Sequence, residues 1–341
     1  MKTILLITSM ILVLSLLALG FGCAKPATTP TVTLTFSGFY PPGVMSEELE
    51  TWFQSRVMEL SNGQIKFVYY PAQQLNKGKE ILNALKDNVA DTGTIINAYF
   101  TGKHPMLGIG DLPFMFECSP EKRVKIAQKL YQTPQIKAVY EPFNTKILSV
   151  YTVDDRQFHS KVPISKLEDF KGLKVRGSGW AQTETIKALG AGSTVMSASE
   201  MYLGLSTGVI DAAMNHASAI LTRKIQEVTK YTVVMPVTPS GGLMMIGMNT
   251  NSFNKLSPEL QKVMVKAGEE HGAHMGKVIA KWTKEKLKEL EATGQNIIYI
   301  PDDEFERWKQ VTRPIWAEWV KQVGPEGQPL IDLVLEETGK K

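Results

Sequence analysis

Apolar and polar positions alternate with two periods along the chain. Residues 31–36 alternate one by one, which predicts a strand. Residues 46–60 place Leu49, Trp52, Phe53, Val57 and Leu60 on one helical face, and Ser61-Asn62-Gly63 ends that helix. Strands are predicted at 65–70 and 94–97, with a helix at 79–88 that turns Ile81, Leu82 and Leu85 inward. The alternation then resumes. A helix around 120–140 precedes a strand at 146–153; a strand at 173–176 precedes a helix at 181–189. A helix at 199–207, a short strand at 211–215 and apolar runs at 232–237 and 243–248 complete a second unit. Strands alternating with helices predict an α/β fold with mainly parallel sheets.

The next segment is longer than one small domain needs. Ser257-Pro258-Glu259 starts a helix-favouring stretch that runs to 292 and stops at Thr293-Gly294. At 1.5 Å per residue it is roughly 50 Å long, a candidate brace across two lobes. A strand at 297–300 and one amphipathic helix at 303–323, carrying Trp308, Trp316 and Trp319, follow. Those tryptophans fit either packing onto their own lobe, the simpler reading, or a dimer surface.

The N-terminus differs from the rest. Lys2 precedes an uncharged apolar run over 4–21, the layout of a secretory signal. The run ends in Leu19-Gly20-Phe21-Gly22-Cys23, and small residues before a cysteine suggest a bacterial lipoprotein signal with Cys23 lipidated. Gly20 stands where such signals usually carry leucine, so a plain cleaved signal or an uncleaved anchor also fits. The Pro/Thr-rich stretch at 24–30 favours a lipid-tethered chain. No later segment approaches 18 apolar residues, so the mature part is expected outside the cytoplasm and at most tethered.

Composition narrows the function. The 341 residues suggest about two folded units, and 43% hydrophobic with 21% charged residues exclude disorder as the main state. A net charge of +4 is too dilute for a nucleic-acid stripe. Two cysteines are too few for a disulfide framework or a Cys-based zinc site. If Cys23 is lipidated, Cys118 is alone, and it is expected to be buried rather than reactive.

Most chemical motifs fail on context. Gly204-Leu205-Ser206-Thr207-Gly208 fits a nucleophile elbow, but a helix precedes it and a strand follows, the reverse of what an elbow needs. It reads as a helix end closed by Gly208. Gly177-Ser178-Gly179 follows a strand, yet Gln182 stands where a dinucleotide fingerprint needs its third glycine. His271 and His274 lie one turn apart beside Glu269, Glu270 and Lys277, which reads as a solvated helix face rather than a metal site. No cofactor motif and no pair of catalytic carboxylates remain. Arg176 stands apart. It ends a strand at the edge where open α/β sheets face a ligand crevice, and the glycines lead to a helix N-terminus that favours anions. A bidentate carboxylate partner and a structural arginine at a lobe surface fit about equally.

Leu167-Glu168-Asp169-Phe170-Lys171-Gly172-Leu173-Lys174-Val175-Arg176-Gly177 resembles the solute-binding subunit of tripartite ATP-independent periplasmic (TRAP) transporters, the DctP family. The likeness extends through Ala188-Leu189-Gly190-Ala191, Ser199-Glu200-Met201-Tyr202 and Gly208-Val209-Ile210-Asp211. Earlier, Tyr70-Pro71-Ala72-Gln73-Gln74-Leu75 and Leu112-Pro113-Phe114 also resemble it. The resemblance implies a two-lobed α/β periplasmic binding protein, not an enzyme, with a long helix spanning both lobes. It would close around a small organic acid and pass it to the transporter's membrane subunits. Lobe I is then expected at 31–153 plus about 241–256, and lobe II at 154–240 plus about 294–323. The spanning helix is expected at 257–293 and a C-terminal segment at 324–341. The resemblance implies that Arg176 pairs with the ligand carboxylate, with Arg156 as a second ligand-facing arginine and Asn215 in the pocket. Phe39, Tyr40, Asn97, Tyr99 and Trp180 are expected as pocket walls. Ala198 lies where some sialic-acid-binding relatives carry an aromatic residue, which argues against sialic acid. Other readings are a binding protein of an ATP-driven transporter, a sensor, or a secreted α/β enzyme.

Overall fold

The computed structural model describes residues 31–43, 45, 47–235 and 242–340. The expected signal, Cys23 and the tether lie outside the described residues. The strands form two sheets. The first has the order β2 (Ile65–Tyr70), β1 (Val32–Ser37), β3 (Thr92–Ile95), β10 (Leu243–Asn249), β4 (Thr145–Thr152). The second has the order β11 (Asn296–Tyr299), β9 (Tyr231–Val234), β5 (Arg156–Ser160), β8 (Ala212–His216), β6 (Lys174–Gly177), β7 (Gly192–Val195). Each sheet is the floor of one lobe, so the molecule is two-lobed α/β as expected.

The sheets are mixed rather than mainly parallel. β1 pairs parallel with β2 and β3, and β6 pairs parallel with β7 and β8. β10 runs antiparallel to β3 and β4, and β5 runs antiparallel to β8 and β9. Both exceptions are strands that enter straight from the other lobe. A strand that returns through a helix of its own lobe re-enters in parallel; one arriving across the cleft enters from the opposite end. β5 and β7 are short polar strands that the apolar pattern did not mark.

Helices α1 (Trp52–Leu60) and α2 (Ile81–Lys86) cover the first sheet, and a π-helical turn, Glu47–Thr51, leads into α1. The predicted helix around 120–140 is two, α3 (Pro120–Tyr131) and α4 (Pro134–Tyr140), broken at Pro134. The second lobe carries α5 (Trp180–Ala188), α6 (Met201–Ser206) and α7 (Ala217–Thr222). The helix α8 (Thr250–Asn254) leads into α9 (Pro258–Ala292), 35 residues long. Its start is capped as the sequence suggests: the Ser257 hydroxyl accepts from the Leu260 N–H at 3.3 Å, with Pro258 in the first turn. α9 packs on α1, α3 and β4 of the first lobe and on α7 and β11 of the second. It lies close to β4 because Gly268 and Gly272 face that strand; a Cβ on Gly268 would collide with the Leu148 carbonyl.

His271 is a correction. It is fully buried, not on a solvated face. Its ring lies among Trp52, Phe53 and Tyr151, and Nδ1 is 2.9 Å from the Ser149 hydroxyl. Burial pushes its imidazole down to about 3, so it is neutral. The tail also differs. Pro314 divides the expected single helix into α10 (Asp302–Thr312) and α11 (Pro314–Val323). Trp308 packs against Phe158 and Phe170 in the second lobe, whereas Trp316 and Trp319 join Leu107, Ile109 and Leu112 in the first. Their indole N–H groups donate to the Pro113 and Pro105 carbonyls at 2.9 and 2.7 Å. All three tryptophans are therefore used within the chain. A last helix, α12 (Gly327–Thr338), which the pattern did not predict, buries Leu330, Ile331 and Val334 in the same cluster. Cys118 is half-buried, and burial raises its thiol pKa. Among the described residues no helix is long and apolar enough to cross a membrane.

Candidate ligand-binding site

The two lobes meet over one small cavity. It is lined by Phe39, Tyr40, Ile96, Tyr99 and Met244 from the first lobe and by Arg156, Arg176, Ser178, Ala198, Asn215, His216, Ala219 and Arg223 from the second. The walls divide by chemistry: the first lobe presents aromatic and aliphatic groups, the second presents three guanidinium groups. Free space at its centre is about 20 Å³, about one water molecule. That space is smaller than a small organic molecule. A larger groove of about 1020 Å³ lies on the outer face between α3 and α9.

Arg176 lies at the end of β6, as its place in the sequence suggests, and is 1% exposed. Its Nε donates to the Met196 carbonyl at 2.9 Å and Nη1 to the Met214 carbonyl at 3.2 Å. These bonds fix the guanidinium plane. Burial pushes its pKa down to about 10; Tyr99 opposes this and Arg156 and Arg223 add to it. It remains a cation at neutral pH. Among the described residues no carboxylate forms an ion pair with it.

Arg156 opens β5 on the same wall, 4% exposed, with Nη2 3.9 Å from Asp111 Oδ1. Asn215 is the next-to-last residue of β8. Its Oδ1 accepts from the His216 N–H at 2.9 Å, and its Nδ2 lies 3.3 Å from the Met201 sulfur. Asp154 ties this wall to α7: its carboxylate accepts from the Ser218 N–H at 2.8 Å and from the Ser218 hydroxyl, with His216 Nδ1 3.0 Å away. Burial opposes ionisation of Asp154, but His216 and the Ser218 donors prevail and hold it below the usual carboxylate value.

Phe39, Tyr40 and Tyr99 line the first-lobe side of the cavity. Phe39 and Tyr40 meet edge to face at 5.1 Å, and Tyr99 lies 6.1 Å from Phe39. Their position depends on Glu50, which sequence reasoning missed. Its carboxylate is fully buried behind them and accepts from the Phe39 N–H at 2.7 Å. Tyr99 also bridges the cleft, its hydroxyl accepting from the Ala198 N–H at 3.1 Å.

Three expectations fail. Asn97 is buried, but it faces away from the cavity and bonds to the hydroxyls of Tyr131 and Tyr140. Trp180 packs against the hydrophobic cluster of the first lobe, because the first turn of α5 points its ring away from the cleft. The N-terminus of α5 is covered as well. Gly179 presses on the Ala98 carbonyl so closely that a Cβ would collide with it, and the Trp180 N–H donates to Thr101 Oγ1 at 3.0 Å. Gly179 thus serves lobe contact. Arg223, Ser178, His216 and Glu50 were not found from the sequence; only the lobe arrangement brings them together.

The second lobe thus sets three arginines against an aromatic wall of the first across a two-lobed cleft. Residues 41–322 match the family described as "Bacterial extracellular solute-binding protein, family 7", DctP, and the chain belongs to that family. Among curated relatives, it is 25% identical over 319 residues to the C4-dicarboxylate-binding periplasmic protein DctP of Rhodobacter capsulatus, covering 91% of this chain and 92% of that one. It is 27% identical to the sialic acid-binding periplasmic protein SiaP of Vibrio cholerae, covering 97% and 98%. Among solved structures, a TRAP solute-binding protein from Rhodoferax ferrireducens in complex with copurified benzoate aligns with a TM-score of 0.84 at 25% identity, covering 91% of this chain and 98% of that one.

Proposed function

We propose that this chain captures a small organic acid through a salt bridge between the ligand carboxylate and Arg176, and delivers it to the membrane subunits of a TRAP transporter. Arg156 and Asn215 border the same carboxylate site, and Phe39, Tyr40 and Tyr99 receive an apolar body. The observation that carries this reading is the Arg176 side chain: a buried cation, immobilised by two backbone carbonyls, without an ion-pair partner among the described residues, on the wall of a cavity lined by both lobes. A buried charge of this kind is stable when an anion reaches it, and closure strengthens the pairing by excluding water. The aromatic wall and the benzoate bound by the Rhodoferax relative both support an acid with a flat apolar body.

In this reading the protein is a receptor: the acid comes off unchanged. It works outside the cytoplasm, anchored at the membrane through a lipid on Cys23. Titration calorimetry of residues 31–341 with benzoate and mandelate tests the site. Removing one partner of a desolvated charge pair costs about 2–5 kcal/mol, so Arg176→Ala should weaken binding roughly 30- to several-thousand-fold. Unchanged affinity would refute the assignment. Mass balance of the recovered ligand tests the absence of turnover. Palmitate labelling of the full chain, lost in Cys23→Ser, tests the anchor.

A further inference from the structure

We propose that Asp111 is a specificity-determining residue: a carboxylate that the first lobe supplies to Arg156 and that limits how much negative charge the cavity accepts from a ligand. This rests on the reading that Arg176 takes the ligand carboxylate. Asp111 ends a short 3₁₀ helix, Pro105–Asp111, and is 7% exposed. It does not line the cavity itself. Its Oδ1 lies 3.9 Å from Arg156 Nη2 and accepts from Gln182 Nε2 at 3.5 Å. Gln182 Oε1 in turn accepts from the Ser178 N–H at 3.0 Å. Arg156 and Ser178 both line the cavity. This one carboxylate therefore reaches two wall residues of the second lobe, the first directly and the second through Gln182.

The charges around the cavity give such a carboxylate its effect. Arg156, Arg176 and Arg223 bring three cations to the walls. Two buried carboxylates stand against them, Asp111 beside Arg156 and Asp154 beside His216 and Ser218. Ser218 carries no charge, and burial lowers the His216 pKa, so neither adds a cation at neutral pH. Glu200 is exposed to solvent and bonded to Ser197, where water screens it. Glu50 lies behind the aromatic wall among uncharged donors. One positive charge is left over, and a single ligand carboxylate at Arg176 matches it. Without the Asp111 charge a second cation would stand uncompensated in the same small space, and a second anionic group on a ligand would be drawn to it.

The geometry suits that role. Arg156 is 4% exposed and Asp111 is nearly as enclosed, so water screens the pair little. At 3.9 Å the two are beyond direct hydrogen-bond reach, and Asp111 acts on Arg156 through its charge rather than through a bidentate grip. The competing role for Asp111 is a structural tie between the lobes through Gln182. A tie acts on closure and changes the affinity of every acid by the same factor. A counter-ion changes affinity according to the charge of the ligand.

The test compares benzoate with isophthalate and terephthalate, which carry a second carboxylate on the same ring. Affinities are measured by titration calorimetry at about pH 6, where Glu50 is mostly protonated. The proteins are wild type, Asp111→Asn, Asp111→Ser, Asp111→Glu and Arg176→Ala. A hydrogen bond to a charged group is worth roughly 10- to 150-fold. Asp111→Asn should therefore raise the affinity for at least one diacid, relative to benzoate, by about 10-fold or more. Asp111→Ser should do the same, and it carries the test if the asparagine variant does not fold. Asp111→Glu keeps the charge and should keep the wild-type ratio within about 3-fold. Arg176→Ala should weaken every acid that wild type binds. A diacid-to-benzoate ratio that stays at the wild-type value in the uncharged variants overturns the inference, as does a diacid that remains unbound in them, or the same shift in Asp111→Glu. The Arg176 reading stands in those cases while Arg176→Ala still weakens benzoate. Wild type that binds none of the three acids overturns both readings.

Discussion

Replacing Glu50 by glutamine tests the buried support behind the aromatic wall. The Glu50 carboxylate is fully buried, and its hydrogen bonds come from uncharged groups. Oε1 accepts from the Phe39 N–H at 2.7 Å and the Thr94 hydroxyl at 2.5 Å, and Oε2 accepts from the Tyr69 hydroxyl at 2.6 Å. Burial pushes its pKa up from 4.5 to about 7, the hydrogen bonds opposing. Ionising it in the folded protein therefore costs about 3 kcal/mol more than in the unfolded chain. The folded value lies above the unfolded one, so the stability this group contributes is fully present below pH 4.5 and is lost as pH rises through about 7. Glutamine has the same shape and cannot ionise. The stability of Glu50→Gln relative to wild type should rise by about 3 kcal/mol between about pH 4.5 and about pH 8.5. Urea denaturation of both proteins across that range measures the difference, and taking the difference removes the other titrating groups. A relative stability constant to within about 0.5 kcal/mol would refute the argument. It would mean that the four donors, counting the Tyr40 N–H, offset burial in full. A second readout is ligand affinity: Glu50→Ala should weaken acid binding, because Phe39 and Tyr40 lose their anchor, whereas Glu50→Gln should largely keep it.

Three further outcomes are expected. Asp154→Asn should destabilise the protein by about 2–3 kcal/mol at neutral pH, because charge-assisted bonds to Ser218 are lost. Since folding lowers the Asp154 pKa, its contribution is present above the unfolded value of 3.8 and lost as pH falls; the two proteins should converge in acid melts. Gly268→Ala should lower stability by about 1–3 kcal/mol, read as a drop in Tm, because the added methyl forces α9 off the Leu148 carbonyl. An unchanged Tm would show that helix and strand separate at no cost. Tyr99→Phe should leave the Tm of the unliganded protein close to wild type and weaken acid binding about 5-fold, the equivalent of about 1 kcal/mol, by removing a hydrogen bond across the cleft. Equal affinity would place that bond outside the closing step.

Features that depend on neighbours along the chain were readable before any fold was known. The strands at 65–70, 146–153 and 243–248 and the long helix with its Ser257-Pro258 start and Thr293-Gly294 stop were legible, because apolar period and capping residues are local. Arg176 was legible as well, since it ends a strand and begins a glycine turn. Phe39, Tyr40 and Tyr99 follow strand ends, a local feature, and line the cavity. What failed needed the third dimension. His271 read as solvated because polar residues surround it along the chain, yet its helix face meets Trp52, Phe53 and Tyr151 from distant segments. Asn97 and Trp180 sit at the right ends of the right elements, but side-chain direction turned both toward a core. The antiparallel pairing of β5 and β10 follows from which lobe the chain has just left, and no local pattern records that. Arg223 and Glu50 each have charged neighbours, Lys224 beside one and Glu47 and Glu48 beside the other, so the sequence does not single them out. One became a cavity wall and the other a buried support only when the lobes packed, because burial, and with it the cost of an uncompensated charge, belongs to the assembled fold.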